Sequence, residues 1–315
     1  MSVNDGFAVT VYGVDGSRWD VHGPLAGRQG VWLGEGQVQA IYDAPIETRW
    51  ATTAGGRGAR PRRRVWLPRD FTLGFHVNDD TAGRRESALA LALGSEPYPW
   101  DPARRAARMV ITAPLQDDGP RTLYFEAKET PELVADQDTL AAEYANTLYS
   151  CRAGQPLYES EPEAVAFEQS GTSGAGTVVL SNPSDTACEY TVELTPATWT
   201  LPDPSWTGQA GAVAPGGPHA ARTLTAVVEP GDVTARFTRR RDQLLAQTAA
   251  GTNLVARQQG RFLVYDLPAW LPPTPLPISY TGAPPGGARA EYTLPRLWTR
   301  PWGMSLADRP AEVLP

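Results

Sequence analysis

Apolar and polar residues alternate with a period of two in several stretches of this chain, and this pattern restricts the fold to half-buried β-strands. The clearest stretch is "ACEYTVELT" (187–195), and the others are "RTLYFEAKE" (121–129), "TLTAVVE" (223–229) and "GARAEYTLP" (287–295). Glycine and proline contribute 30 residues each to a chain of 315. Because they divide the chain into short segments, they favour strands and loops over long helices. We therefore predict a mainly β protein built from antiparallel sandwiches.

A single helix is predicted, in "DDTAGRRESALALALG" (79–94). Asp79, Asp80 and Thr81 are N-cap candidates, and a run of good helix formers follows them. Leu89 and Leu93 are four residues apart, so they share one face of a helix. A glycine then ends the pattern. The sequence predicts a helix over residues 81–93.

The length of the chain accommodates two ordinary domains, each with its own core. The candidate boundary is "GQPLYESEPEA" (154–164), where prolines and acidic residues separate two strand-rich halves. We predict a first β-domain over residues 1–157, a second over residues 158–303, and a short tail over residues 304–315.

The charge and the termini exclude several classes of protein. The net charge is −7 and the isoelectric point about 5.1, which counts against a general binder of polyanions. The first residues have no basic region followed by an apolar core, so we expect no signal peptide and synthesis in a cytoplasm. We expect no membrane insertion, because no apolar run approaches the roughly 20 residues that span a bilayer. Cys151 and Cys188 are then expected as reduced structural thiols, with a disulfide as the less favoured alternative.

A search for catalytic or metal-binding patterns finds none that fits. His22, His76 and His219 are scattered, and the two cysteines lack the C-x-x-C spacing of a zinc site. "GTSGAG" (171–176) fails the G-x-S-x-G pattern of a nucleophile elbow, and "GEGQVQ" (34–39) fails the dinucleotide fingerprint. No pair of carboxylates indicates a glycosidase cleft. We expect no enzyme activity, no cofactor and no metal.

The tryptophans allow two interpretations. Trp206 and Trp302 could be exposed aromatic side chains that stack on sugar rings, as β-sandwich domains often provide. Alternatively, Trp199 and Trp298 belong to the core and the first two lie at an interface. We favour the second interpretation, because aromatic residues of sandwiches are mostly buried.

The stretch "RWATTAGGRGARPRRRVWLPRDFTLGFHVN" (49–78) concentrates arginines between two strand-like runs. We interpret it as a long β-hairpin, around residues 45–77, with a flexible tip. It has no recognition helix and no interleaved aromatic residues, so we do not expect a nucleic-acid site. A projecting hairpin is instead suited to assembly, where arginines meet carboxylates on a neighbour. The candidate assembly residues are Arg57, Arg60, Arg62, Arg63, Arg64 and Trp66.

Four phrases, in this order, resemble a known family. They are "GVWLGEGQVQAIYDAPIETRW" (30–50), "SNPSDTACEYTVELTPATWTLPD" (181–203), "AGTNLVARQQGRFLVYDLPAWLPPTPLPISYTGAP" (250–284) and "PRLWTRPWGMS" (295–305). Together they are similar to minor tail proteins of long, flexible-tailed phages that infect actinobacteria, in particular the distal tail protein. The resemblance covers residues 28–305.

The resemblance implies a structural virion protein at the distal end of the phage tail. It implies a hexameric hub ring that joins the tail tube protein to the tip or baseplate proteins, with phage DNA passing through the lumen without specific binding. It also implies an N-terminal tail-tube-like β-domain with one helix and a long hairpin, followed by a galectin-like β-sandwich. No catalytic residues are carried over.

Within that family the arginine-rich hairpin is expected to lie on the next subunit and to point away from the DNA. Its arginines would pair with acids of the neighbour, or with the tube or hub protein. The hairpin is richer in arginine than is usual in the family, so its partner could be particular to this protein. The alternative function is an adhesin whose second domain binds cell-wall glycan through Trp206 or Trp302.

Overall fold

The computed structural model describes residues 6–52, 54–55, 57–78, 81–96, 105–114, 116, 118–134, 138–139, 141–240, 242–304 and 306. The chain divides into two compact units. The first comprises residues 1–160 together with 298–303, and the second comprises residues 161–297 with the residues after 303. Residues 298–303 therefore belong to the first unit although they follow residues 161–297 of the second, whereas the sequence predicted two consecutive domains with residues 298–303 in the second.

The first unit is built from antiparallel strands and one helix. Its strands are β1 (Ala8–Tyr12), β2 (Arg18–His22), β3 (Val31–Leu33), β4 (Ile46–Thr52), β5 (Ala59–Trp66), β6 (Arg69–Asn78), β7 (Ala107–Thr112), β8 (Arg121–Ala127), β9 (Glu132–Leu133) and β10 (Tyr144–Ala153). They pair in the order β2–β1–β7–β8, and β8 continues through β10 and β6 to β3, with β9 beside β10. Alternate side chains of these strands form the core, which includes Val9, Val11, Val21, Leu73, Phe75, Met109, Ile111, Leu123 and Phe125.

The helix α1 spans Ala82–Ala92, with Thr81 at the N-cap position. Asp79 and Asp80, the other N-cap candidates, lie outside the described residues. The helix ends in a Schellman motif, because the N–H of Gly94 donates to Leu91 O and that of Ser95 to Ala90 O. Gly94 has a φ of 74°, a left-handed conformation that glycine adopts without strain. No helix in the described part of the chain is long and apolar enough to cross a membrane.

The second unit consists of strands that form two main sheets. After β11 (Tyr158–Gln169), which starts in the first unit, come β12 (Ser173–Asn182), β13 (Thr191–Leu194), β14 (Ala197–Pro202), β15 (Trp206–Thr207), β16 (Ala214–Pro215), β17 (Thr223–Val228), β18 (Ala235–Thr238), β19 (Ala246–Thr248), β20 (Leu271–Thr281) and β21 (Ala288–Trp298). A 3-10 turn spans Pro230–Asp232. One sheet has the order β12–β20–β14–β17, and the other runs β19–β18–β13–β21–β11.

Both sheets of the second unit contribute to one hydrophobic core, which contains Phe167, Leu180, Val192, Trp199, Phe237, Ile278, Tyr280 and Tyr292. The four stretches that alternate with period two are strands β8, β13, β17 and β21, and their predicted apolar faces are inward. The prediction of a mainly β fold is confirmed.

The segment of residues 298–303, which we call the chain-end segment, is fixed in the first unit by two buried arginines. The Arg121 guanidinium lies 3.6 Å from the centre of the Trp298 ring, and its Nη1 donates to Arg300 O at 3.0 Å. Arg69 donates from Nη2 to Thr299 O, also at 3.0 Å. Because burial removes a guanidinium from water, each must be hydrogen-bonded, and the chain-end carbonyls provide part of that pairing.

Replacing Arg121 by leucine should therefore destabilise the first unit strongly. The change leaves Asp118, to which Arg121 donates at 3.0 Å, and Arg300 O without this donor. We expect a loss of about 3 kcal/mol in the free energy of unfolding of that unit. The control is Arg152→Leu, because Arg152 forms an exposed ion pair with Asp70 and should change stability by less than about 1 kcal/mol. Denaturant titration checks this, and equal losses for both variants would contradict it.

The two cysteines are free and buried, one in each unit, in agreement with the favoured interpretation of the sequence. Burial raises the pKa of both the Cys151 and the Cys188 thiol to about 12. An unfolded thiol ionises near pH 8.5. Because the unfolded thiol loses its proton at a lower pH than the folded one, the free energy of unfolding has its full value below about pH 8 and falls as the pH rises.

Stability should consequently fall by roughly 2 kcal/mol per thiol between pH 8 and pH 10. Cys151→Ala should remove that dependence from the unfolding of the first unit, and Cys188→Ala from that of the second. Denaturant titrations at the two pH values check the slopes. Rapid alkylation of either native thiol at pH 8 would show that burial does not protect it.

Candidate assembly site

The candidate site is a two-stranded ribbon of β4 and β5, which pairs with no other strand in the described part of the chain. We call residues 46–66 the arm. Its register runs from Ile46 opposite Trp66 to Thr52 opposite Ala59, with a bulge between Arg49 and Trp50. All of its strand residues are exposed or half-buried. An isolated hairpin is marginally stable in water, so a ribbon of this kind needs a surface to cover it.

The structure corrects the predicted hairpin in two respects. The hairpin ends at Trp66 instead of continuing to residue 77, because Pro68 has no N–H and separates β5 from β6, which is part of the main sheet of the first unit. The arginines from Arg60 to Arg64 lie in strand β5 instead of a flexible tip. They are extended because each part of β5 pairs with β4.

One face of the arm is apolar. Ile46, Trp50 and Trp66 share this face, since side chains alternate along a strand and directly opposed residues are on the same side. Trp50 is 61% exposed and Trp66 is 47% exposed. Large apolar side chains grouped in this way mark an interaction surface.

The other face of the arm is basic. It has Arg49 directly opposite Arg63, with Arg60 beyond them and Glu47 as the one acidic strand residue on this face. Like charges directly opposite each other destabilise a strand pair. Arg62 occupies the bulge, Arg64 is on the apolar side of the ribbon and Arg57 lies in the turn. Within the part of the chain that the structure describes, none of these arginines forms an ion pair. The arm therefore lacks a partner for its charge as well as for its apolar side chains.

The base of the arm is anchored by side chains from distant parts of the first unit. The N–H of Leu67 donates to Pro45 O at 3.1 Å and closes the ribbon. Ile41 O accepts hydrogen bonds from Arg69 Nη1 at 2.6 Å and from the Tyr158 hydroxyl at 2.7 Å. Burial lowers the pKa of the Arg69 guanidinium, and it raises that of the Tyr158 hydroxyl.

The chain-end segment forms the other side of this anchor. Arg300 Nε donates to Asp43 Oδ1 at 2.6 Å, and its guanidinium lies 4.9 Å from the centre of the Tyr42 ring. Trp302 stacks on Phe7 with 4.7 Å between ring centres and also contacts Tyr42 at 5.4 Å. Residues 41–43 have no strand partner of their own, so these contacts determine where the arm leaves the unit.

The sequence did not identify this anchor. Arg300 and Asp43 are 257 residues apart, and neither stands in a pattern that indicates the other. The one indication in the sequence is that Asp43 and Arg300 each lie in a stretch that carries the family resemblance, residues 30–50 and 295–305.

The other candidate residues are dispersed. Trp206 is half-buried against the core of the second unit, while Trp302 belongs to the first unit and stacks as described above. Trp199 and Trp298 are buried. A sugar-binding role for Trp206 and Trp302 stays an untested prediction. Among the described residues, no group of histidine, cysteine or acidic side chains has the arrangement of a metal site.

Comparisons with known proteins show which solved structures the fold resembles. No protein-family model matches the chain, and no curated protein matches its sequence. The fold is similar to that of the Dit protein (gp 19.1) of phage SPP1, a paradigm of the hub adsorption apparatus in phages that infect Gram-positive bacteria. The TM-score is 0.53 at 12% identity, over 92% of this chain and 98% of that one. Two structures of the phage p2 baseplate in its activated conformation, with Sr and with Ca, match at a TM-score of 0.47 and 8% identity, again over 92% and 98%.

Reversing the charge of Arg300 should release the base of the arm. In Arg300→Asp the side chain would repel Asp43, and a nitroxide attached at Ala54→Cys, in the turn of the arm, should show faster motion by electron paramagnetic resonance. The double variant with Asp43→Arg restores an opposite-charge pair and should restore the slow motion. Arg152→Asp, which breaks another exposed pair of the same unit, is the control. Equal mobility in all four proteins would show that this contact does not hold the arm.

Proposed function

We propose that the protein is a structural hub of a phage tail, in which six copies close a ring between the tail tube protein and the proteins of the tip or baseplate. The observation that carries the proposal is the arm, an exposed ribbon with one apolar and one basic face and no partner for either. The similarity of the fold to the Dit protein of phage SPP1 supports it. The first unit is then the tube-like domain that builds the ring, and the second is a galectin-like domain. We propose no enzyme activity.

The ring would be closed by heterologous contacts, in which each arm lies on the next copy. Burying Ile46, Trp50 and Trp66 gives the apolar part of that contact roughly 1 kcal/mol per side chain, because each is already about half buried. The same contact would also bury the opposed Arg49 and Arg63. Because a buried charge without a partner is unfavourable, the surface of the next copy must provide carboxylates for these two arginines.

The first unit offers an acidic surface for this purpose. A cavity of about 470 Å³ is lined by Glu96, Glu126 and Glu129. Lys128, which pairs with Glu129 at 3.2 Å, is the one cation among the described residues of the lining. Arginine forks bind carboxylates with two parallel hydrogen bonds, so this cavity in the next copy is our candidate receptor for the basic face of the arm.

The same arrangement suits a channel for DNA. When carboxylates of the neighbour neutralise the arm, its arginines are held away from the lumen. The net charge of −7 then leaves a wall that does not retain a polyanion. The DNA passes without specific binding. In this proposal the protein lies at the distal end of the tail in the virion, after synthesis in the host cytoplasm.

The adhesin hypothesis has no specific observation in its favour. One face of the Trp302 ring stacks on Phe7. Trp206 is packed against the core of its unit, which leaves it half-buried. We therefore do not advance it as a second function.

Reversing three charges on the basic face of the arm, with Arg49→Glu, Arg60→Glu and Arg63→Glu, should prevent ring closure. The glutamates would face the carboxylates of the next copy, so we expect several-fold fewer tails and virions. Negative-stain imaging of the purified protein and counts of tails in infected cells measure the effect. The matched control reverses three exposed arginines of the second unit, Arg240, Arg261 and Arg289. Normal tails from the arm variant would disprove the role of the arm.

A further inference from the structure

The four-stranded sheet of the second unit has two edge strands, β17 and β12, which differ in whether side chains pair with their outward backbone groups. At the β17 edge, the Gln258 side chain acts as a substitute for another strand. Its Nε2 donates to Val227 O at 2.9 Å, and its Oε1 accepts from the Val227 N–H at 2.9 Å. Gln258 is buried, so the protein itself closes this edge at Val227.

The opposite edge of the sheet is strand β12, which pairs only with β20 among the described strands. The prolines of β20 show which backbone N–H and C=O groups of β12 point away from the sheet. Thr177 is directly opposite Pro277, and Val179 is opposite Pro275. Because proline has no N–H, the paired hydrogen bonds of this ladder run through the residues between them, Gly176 and Val178. The N–H and C=O groups of Thr177 and Val179 consequently point away from β20.

Side chains cover both ends of this edge and leave its centre uncovered. Gln169 Nε2 donates to Ala175 O at 3.2 Å, and Arg296 Nη1 donates to Ser181 O at 2.7 Å. Between them, Thr177 and Val179 are exposed, and no described residue forms a hydrogen bond with their outward backbone groups. The open part of the edge thus presents two donors and two acceptors in a row.

The chemistry around this edge is uncharged. Residues 170–182 contain no charged side chain. The outward residues of the whole sheet are also neutral, namely Ser173, Ala175, Thr177, Val179, Thr198, Thr200, Thr223, Thr225, Val227, Pro273, Pro275, Pro277, Ser279 and Thr281. Proteins protect edge strands with charges, prolines or a covering group, and β12 has none of these at its centre.

We propose that β12 is a strand-addition site that receives an extended, uncharged segment of a different protein of the same particle. The backbone groups of Thr177 and Val179 would pair with it, and a charged side chain in the segment would be desolvated without a partner. Two copies of this chain could join β12 to β12 only about a two-fold axis, and a ring closed by heterologous contacts contains no such axis within it. The identity of the partner therefore rests on the proposed function. The observation that the β12 edge is open does not depend on that function.

The edge itself is tested on the purified full chain, with a synthetic peptide of the sequence SGAGTVVLSN, a copy of residues 173–182, as the uncharged probe. At millimolar peptide, amide hydrogen exchange of Thr177 and Val179 should slow at least several-fold. Thr177→Pro removes an outward N–H and no ladder bond, and it should abolish the protection, while Thr177→Val should retain it. Absence of protection in the original chain, or equal protection in the proline variant, would overturn the proposal.

The partner is tested in purified particles that carry a photo-crosslinking amino acid at position 179. We expect crosslinks to an uncharged stretch of a different particle protein, and we expect Thr177→Pro particles to lose that protein while Thr177→Val particles keep it. Crosslinks to another copy of this chain, or retention of the protein in the proline variant, would overturn the choice of partner. Absence of the chain from particles would contradict the proposed function, and the peptide experiment would still decide whether the edge accepts a strand.

Discussion

The return of the chain end into the first unit depends on two buried guanidinium groups. Arg69 and Arg121 come from strands β6 and β8, and each binds a backbone carbonyl of the chain-end segment. Trp298 lies against Arg121 and donates to Ser160 Oγ at 2.9 Å. A buried arginine is tolerated only when its donors are paired, so the first unit is complete only when residues 298–303 are in place. Its folding thus involves residues that follow the second unit in the chain.

The same segment has a second consequence, because it forms part of the base of the arm. Asp43 and Tyr42 contact Arg300 and Trp302, and β4 begins a few residues later. A ribbon that pairs with no other strand takes its direction only from its base. The contacts that finish the first unit are therefore also those that present the arm to a neighbour.

The arm and the β12 edge both lack a partner among the described residues, and other parts of the same chain show how such groups are paired. Arg49 and Arg63 are opposed on the arm and form no ion pair with a described residue, whereas Arg152 on the main sheet pairs with Asp70. The β12 edge is open at Thr177 and Val179, whereas Gln258 closes the β17 edge of the same sheet at Val227. The contrast within one chain supports assembly as the reason for the unfinished surfaces, since an isolated protein gains nothing from them.

Much of the fold could be predicted from local patterns. Alternation of period two placed the inward residues of β8, β13, β17 and β21, because side-chain direction in a strand depends only on neighbouring positions. The helix was predicted within one residue at each end, since Gly94 and the leucine spacing are local signals. The hairpin was found, but its end was missed, because the pattern does not show that Pro68 separates an unpaired ribbon from a strand of the sheet.

The sequence by itself determined a β protein in two parts, with one helix and an arginine-rich hairpin. Only the tertiary structure decided that residues 298–303 return to the first unit and that Arg300 anchors Asp43. It also decided that Gln258 closes one sheet edge at Val227 while β12 stays open. The reason is physical: periodicity and turn chemistry act over a few residues, whereas these contacts join residues that are between 31 and 257 positions apart. Which distant groups satisfy a buried guanidinium or an exposed strand edge is settled only when the chain is folded.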